Sequence, residues 1–220
     1  MPVISVILLL VAVLVIVAIF RAVRIVKQST AIIVERLGRF QARQPEVIVN
    51  LHTQTRPFLF DQTGFDAAIY FGDAGWPGTE AHFLMHEYPV PVCSPTLPGV
   101  QPHMTPEAIA ELPLLQQSTR PYAWRQWFAA AGVTTPRAMT GMRLELFSML
   151  AQAAIEQLGV ALIPPFLIQQ ELANGSLISP CPQSMPSSRA YYLIVPEHKA
   201  ERPALTCFRE WLVGEAKENA

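Results

Sequence analysis

The chain has 220 residues, of which 51% are hydrophobic and only 15% charged, and its net charge is −1. A balance this close to neutral gives no sequence-independent pull toward nucleic-acid phosphate, which argues against a free-standing DNA binder. Cys93, Cys181 and Cys207 are widely scattered, with no pair at metal-ligand spacing. That pattern suits reduced, partly buried thiols in a reducing compartment.

In chain order, the first feature is an apolar run from Val3 to Phe20, broken only by Ser5. As a helix it would span about 27 Å, close to the hydrocarbon thickness of a bilayer. No charged side chain precedes it, and Arg21, Arg24 and Lys27 follow. The run predicts a single transmembrane helix with its basic flank over 1–28, the amino terminus outside and residue 21 onward in the cytoplasm. The plainer reading is a buried core segment. Residues 29–40 then carry a short apolar strand, Ala31-Ile32-Ile33-Val34, that runs into Glu35-Arg36-Leu37-Gly38-Arg39-Phe40.

From residue 41 the signals alternate. Val47–Thr53 is a β-branched strand, and Phe65–Gly72 is a second, closed by glycine. Tyr88–Cys93 is extended, with prolines that suit a sheet edge or a crossing between lobes. Thr105-Pro106-Glu107 opens a short helix, with threonine as N-cap and proline at the first helical position. Leu112–Gln116 is a brief strand. Pro121–Ala131 is a helix stopped by Gly132, with Trp124, Trp127 and Phe128 on one apolar face, a stripe best read as core. Met142–Leu146 is a strand, Phe147–Leu158 a helix ended by Gly159, and Val160–Ile163 a strand running into Pro164. A helix around Phe166–Ala173 stops at Asn174-Gly175. Tyr191–Val195 is a strand, and Pro203–Val213 a terminal helix carrying Leu205, Phe208, Trp211 and Leu212. Strands separated by helices imply βαβ units and largely parallel sheets, an α/β fold.

Two resemblances add to this reading. The anchor, spacer, strand and Val34–Phe40 together resemble the start of stomatin/prohibitin-like (SPFH) membrane proteins over about 1–40. No sustained heptads follow, so that family's coiled coil has no counterpart here. Three later blocks, in order, resemble the effector-binding (substrate-binding) domain of LysR-type transcriptional regulators over about 36–215. They are Asp66–Gly72 with Trp76-Pro77-Gly78 and Pro91–Pro95; Gln152–Ile155 with Gly159–Pro164; and Ala190–Val195 with Phe208–Leu212.

That resemblance implies two Rossmann-like lobes of the type 2 periplasmic-binding-protein kind. Lobe one would hold 41–91 plus 190–220 and lobe two 92–189, with a small molecule in the cleft between them. It also implies that lobe one lacks its usual central first strand, whose loss exposes backbone groups on both neighbours. Ala31–Val34 is the candidate replacement. Without it, lobe one would be the weaker lobe and ligand affinity would be weak or absent. By family position the ligand-binding residues would be Gly72, Gln116, Gln117, Ser118, Phe147, Ser148 and Tyr191. Phe147 and Ser148 open a helix whose N–H groups would favour a carboxylate. The plainer reading of Gln116–Ser118 is a solvated turn, and of Ser148 an ordinary cap.

Other chemistry finds little support. His82 and His86 stand four apart beside Glu87, but the stretch is extended, which points the rings apart. Asn174-Gly175-Ser176 fits a glycosylation sequon, though Asn-Gly after a helix is explained by the cap. There is no phosphate loop, nucleophile elbow or Cys/His pair, so no enzyme activity, metal or cofactor is expected. The partners expected are a small-molecule effector, an amino acid or carboxylate; a membrane through Val3–Phe20; no DNA for this chain alone; and a homodimer through the effector domain. The localisation expected is a bacterial, single-pass membrane anchor with the globular part in the cytoplasm. Two other readings stay open: a stomatin-like scaffold fragment with a passenger domain, and a fused reading frame with no selected function.

Overall fold

The computed structural model describes residues 37–56, 58–185 and 189–218. The chain divides at Phe40 into two units, 1–39 and 40–220. Of the first, only 37–39 are described, as the start of the helix α1 (37–43). Val3–Phe20 and Ala31–Val34, the expected anchor and the candidate strand, lie outside the described residues. Among the described residues, no helix is long and apolar enough to cross a membrane.

The second unit is built on two sheets. The first holds β1 (Ala68–Gly72), β2 (Thr79–His86) and β7 (Ala190–Pro196) in the order β1-β7-β2. The second holds β3 (Val90–Val92), β4 (Leu114–Gln117), β5 (Met142–Leu144) and β6 (Val160–Ile163) in the order β3-β6-β4-β5. The helices are α2 (Pro106–Ala110), α3 (Ala123–Ala130), α4 (Phe147–Ile155), α5 (Gln169–Ala173) and α6 (Pro203–Glu218).

The second sheet follows the expected βαβ logic. β6, β4 and β5 are parallel neighbours, with β3 antiparallel at the edge. Pro91 is tolerated there, opposite Leu162, because an edge strand needs only half its donors. The first sheet corrects the expectation of largely parallel pairing. β7 returns from far along the chain, lies between β1 and β2 and pairs antiparallel with both. β1 and β2 therefore run in the same direction without touching.

Local chemistry sets the helix ends much as the sequence implies. The Thr105 hydroxyl accepts from the Ala108 N–H at 3.4 Å and caps α2. Gly159 takes a φ of 152° and comes so close to β4 that a Cβ there would sit 2.4 Å from the Pro113 carbonyl oxygen. That approach lets the Val160 N–H reach the same carbonyl at 2.8 Å and start β6 in register. Trp124, Trp127 and Phe128 are all but fully buried, as expected of a core stripe. Each indole N–H also finds a partner, the Leu115 carbonyl at 2.9 Å and the Gln183 carbonyl at 3.0 Å. On the first sheet, Phe40 packs against Phe208 and Trp211 of α6, with ring centroids 5.6 and 4.8 Å apart. The three cysteines are free, and burial pushes the Cys93 thiol up to about 11.

The expected strand Val47–Thr53 is the clearest departure. The segment is extended, yet from residue 48 to 56 its backbone makes no hydrogen bond to any described residue. β-branched composition favours a pleated surface but does not make a strand without a ladder partner. The far edge of β1 is likewise unpaired among the described strands, because β1 pairs with β7 alone. Ile48, Leu51 and Ile69 are exposed along this gap, at 78%, 61% and 57%. Amides of residues 48–56 should therefore exchange with solvent close to the unprotected rate, while those of Val160–Ile163 are strongly protected. Hydrogen exchange read by mass spectrometry checks this, and equal protection would mean that a strand occupies the gap.

Candidate functional site

The two sheets meet where the chain passes between them. Glu87, Tyr88 and Pro89 carry it from β2 to β3, and the return path enters β7 at Ala190. The Pro89 carbonyl accepts from the Met185 N–H at 3.4 Å, so the two passages touch. Beside them opens a cleft of about 1770 Å³. The first sheet contributes Phe71 and Tyr191 to its wall, and the second contributes Gln117, Ser118, Arg120 and Phe147. The cleft continues along the gap between residues 47–56 and β1.

The network across this junction centres on Glu87, which is 3% exposed. Arg120 donates to its carboxylate from two nitrogens, Nε to Oε1 at 3.4 Å and Nη2 to Oε2 at 3.3 Å. The Tyr191 hydroxyl donates to Oε2 at 2.6 Å. Arg120 also lies over the Phe71 ring, 3.8 Å from its centroid, with Phe147 at 5.7 Å. Cation–π contact of this kind adds to the ion pair where water is excluded. Burial first, and then the Glu87 charge, hold the Tyr191 phenol far above its ordinary value, so it stays a donor.

The seven expected ligand residues separate in the structure. Gln117, Ser118, Phe147 and Tyr191 come together on the cleft. Gln116 does not line it. Its amide Nε2 donates to the Ala138 carbonyl at 3.1 Å and to the Thr140 carbonyl at 2.7 Å, which ties β4 to the chain before β5. Gly72 is buried at the end of β1, where a Cβ would sit 2.4 Å from the Tyr70 ring. Ser148 stands exposed in the first turn of α4, outside the lining of the cleft. Gln117 is 8% exposed, and its Nε2 reaches the Glu145 carbonyl at 3.5 Å, while Oε1 is buried without a hydrogen-bond partner.

Sequence reasoning missed Arg120 and the role of Glu87. A signal was present: an arginine closes the polar run Gln116–Arg120, and a lone acid stands among His86, Tyr88 and Pro89. His82 and His86 both lie on β2, and among the described residues no group of three or more metal-ligating side chains gathers.

These features define an α/β domain of two sheets with a ligand-sized cleft at the passages between them. The family model for the LysR substrate binding domain matches residues 25–217, and the chain belongs to that family as a LysR-type effector-binding domain. It is 32% identical over 185 residues to the glycine cleavage system transcriptional activator of Escherichia coli (strain K12), covering 84% of this chain and 60% of that protein. It is 32% identical over 183 residues to the HTH-type transcriptional activator AmpR of Rhodobacter capsulatus, covering 83% and 62%. The chain thus spans about 60% of the length of these curated relatives. Among solved structures, it resembles the effector domain of the transcriptional regulator AmpR of Pseudomonas aeruginosa, with a TM-score of 0.76, 28% identity and coverage of 86% and 90%. It also resembles the AmpR effector binding domain from Citrobacter freundii, with a TM-score of 0.74, 25% identity and coverage of 84% and 92%.

Two expectations are corrected by these findings. The family match begins at residue 25, so it takes 25–40 of the segment read as stomatin-like into the LysR domain. The single-pass, membrane-anchored localisation is overturned, because the relatives are transcription regulators and no described helix can span a bilayer. The relatives are regulators and not enzymes, in line with the absence of catalytic motifs noted above.

Replacing Arg120 with alanine strands the Glu87 carboxylate beneath the surface and should lower stability by about 3 kcal/mol, the low end for a broken buried pair because Tyr191 still donates. Urea unfolding measures this, and Glu87→Ala, which leaves a partly exposed guanidinium on Phe71, should cost less. Stability should also fall in alkali. The unfolded chain releases the Cys93 proton near pH 9 and the Tyr191 proton near pH 10, while the folded state retains both to higher pH. Their contribution is full below pH 9 and is lost as pH rises beyond it. Tyr191→Phe should flatten the part of the urea-midpoint profile above pH 10.

Proposed function

We propose that the chain serves as the small-molecule sensing part of a LysR-type transcription regulator, with its effector seated in the cleft beside the Glu87–Arg120–Tyr191 network. The observation that carries this reading is convergence: Gln117, Ser118 and Phe147 of one sheet and Phe71 and Tyr191 of the other line the same cleft. Such a cleft, with apolar walls and a few fixed polar groups, is the usual form of a small-ligand site. The domain is read as two lobes, 41–91 plus 190–220 and 92–189, with lobe one short of its first strand. The effector is read as an amino acid or carboxylate.

Ser118 and Phe147 stand at the carboxylate end of the proposed site, where first-turn N–H groups of α4 favour an anion, and Ser148 in that turn is read as serving the same end from outside the lining. Gly72 and Gln116 shape the site from behind without touching the ligand. Self-association through the same domain belongs to the reading, as the family resemblance implies. A thermal-shift screen with amino acids and their parent carboxylates tests it. At ten times Kd a ligand should add about 1.4 kcal/mol, raising Tm by about 3–5 °C for a domain of this size. Phe147→Ala should abolish the saturable shift. A flat response to every member of the screen, with the protein folded, would contradict the reading.

A further inference from the structure

The polar groups at the deep end of the cleft are not equally available. Arg120 is the cation beside the Glu87–Tyr191 network, and its guanidinium already donates to Glu87 at 3.3 and 3.4 Å. The Tyr191 hydroxyl hydrogen goes to the same carboxylate. Among the polar groups at this end, one acceptor is stranded. Gln117 Oε1 has no partner, although the residue is 8% exposed. Its orientation is set from the other side, where the amide Nε2 reaches the Glu145 carbonyl.

An unmet buried amide oxygen loses its hydration for nothing, so a group that supplies the missing donor gains what the empty site forfeits. Behind Gln117 lies a recess of about 10 Å³, lined by Leu115, Trp124, Phe147 and Leu162 and also by Glu87 and Arg120. That volume admits at most one water and is too small for a ligand group to enter. Trp124, the nearby indole, has already given its N–H to the Leu115 carbonyl. The donor must therefore arrive from the open side of the cleft.

We infer that the ligand of this cleft is an amine or amide, inserted with an N–H group toward Gln117 Oε1, and not a simple carboxylate. The inference rests on the effector reading above and narrows it. Glu87 reinforces the preference, because its carboxylate balances the charge of Arg120. A carboxylate on the same ligand would lie toward Ser118 and the start of α4.

Isothermal titration with matched pairs tests this: glycine against acetate, L-alanine against propionate, and L-aspartate against succinate. The amine-bearing member should bind at least tenfold more tightly in the pair that fits best. Gln117→Met, close in size but without the acceptor, should bring that ratio near one. Gln117→Glu, which keeps an acceptor, should preserve or raise it, and also guards against a folding defect in the first variant. Equal affinity within each pair for the unaltered protein overturns the inference and leaves the effector reading standing. A preference that survives unchanged in Gln117→Met overturns it too, since the donor is then read elsewhere. Heat from no member of any pair at 10 mM, roughly the weak limit of measurable affinities, removes both the inference and the effector reading beneath it.

Discussion

A buried carboxylate on the passage between two sheets is the constraint on which this cleft depends. Glu87 sits where β2 ends and the chain turns toward β3, almost wholly out of water. A charge in that position is tolerable only if it is paired and fully hydrogen-bonded. Its partners come from both halves of the fold. Arg120 follows β4 of the second sheet, and Tyr191 lies near the start of β7 in the first. Satisfying one carboxylate therefore fixes the relation of the two walls. The same arginine covers Phe71 and approaches Phe147, so the aromatic lining is held by the same interaction.

The open side of the first sheet shows the opposite situation. β1 has a ladder partner on one edge only, and the β-branched segment beyond the gap has none among the described residues. Ile48, Leu51 and Ile69 are exposed in the same region. In the second sheet β3 and β5 are likewise edge strands, and Leu115, Leu150, Ala154, Ala161 and Ile163 form a buried core.

Much of the fold was legible in the sequence because local signals and burial agreed. Val160–Ile163 stands between a glycine and a proline as a run of four apolar residues, and it forms a strand over that span, buried at every position. The Trp124, Trp127, Phe128 spacing placed an apolar face on α3, and all three are core. The insertion of β7 between β1 and β2 was not legible, because nothing local to Ala190–Pro196 says which strands it will separate. Val47–Thr53 failed because composition announces a strand but cannot supply a ladder partner, and none is present among the described residues. The site was half legible. Gln117, Ser118, Phe147 and Tyr191 reach the cleft, while Gln116 is spent inside the second sheet, a difference of one residue along β4 that sets which face each side chain takes. The pairing of Glu87 with Arg120 spans 33 residues and joins two isolated charges, so no spacing rule could announce it.

The account stands or falls on whether both halves of the fold act on Glu87 together. A double-mutant cycle between Arg120→Ala and Tyr191→Phe, read by urea unfolding, measures this directly, because the two side chains belong to different sheets and meet at one carboxylate. A shared buried partner predicts a coupling energy of about 1 kcal/mol or more. Additive effects, within about 0.5 kcal/mol, would show that the two residues act independently and that Glu87 does not hold the cleft together.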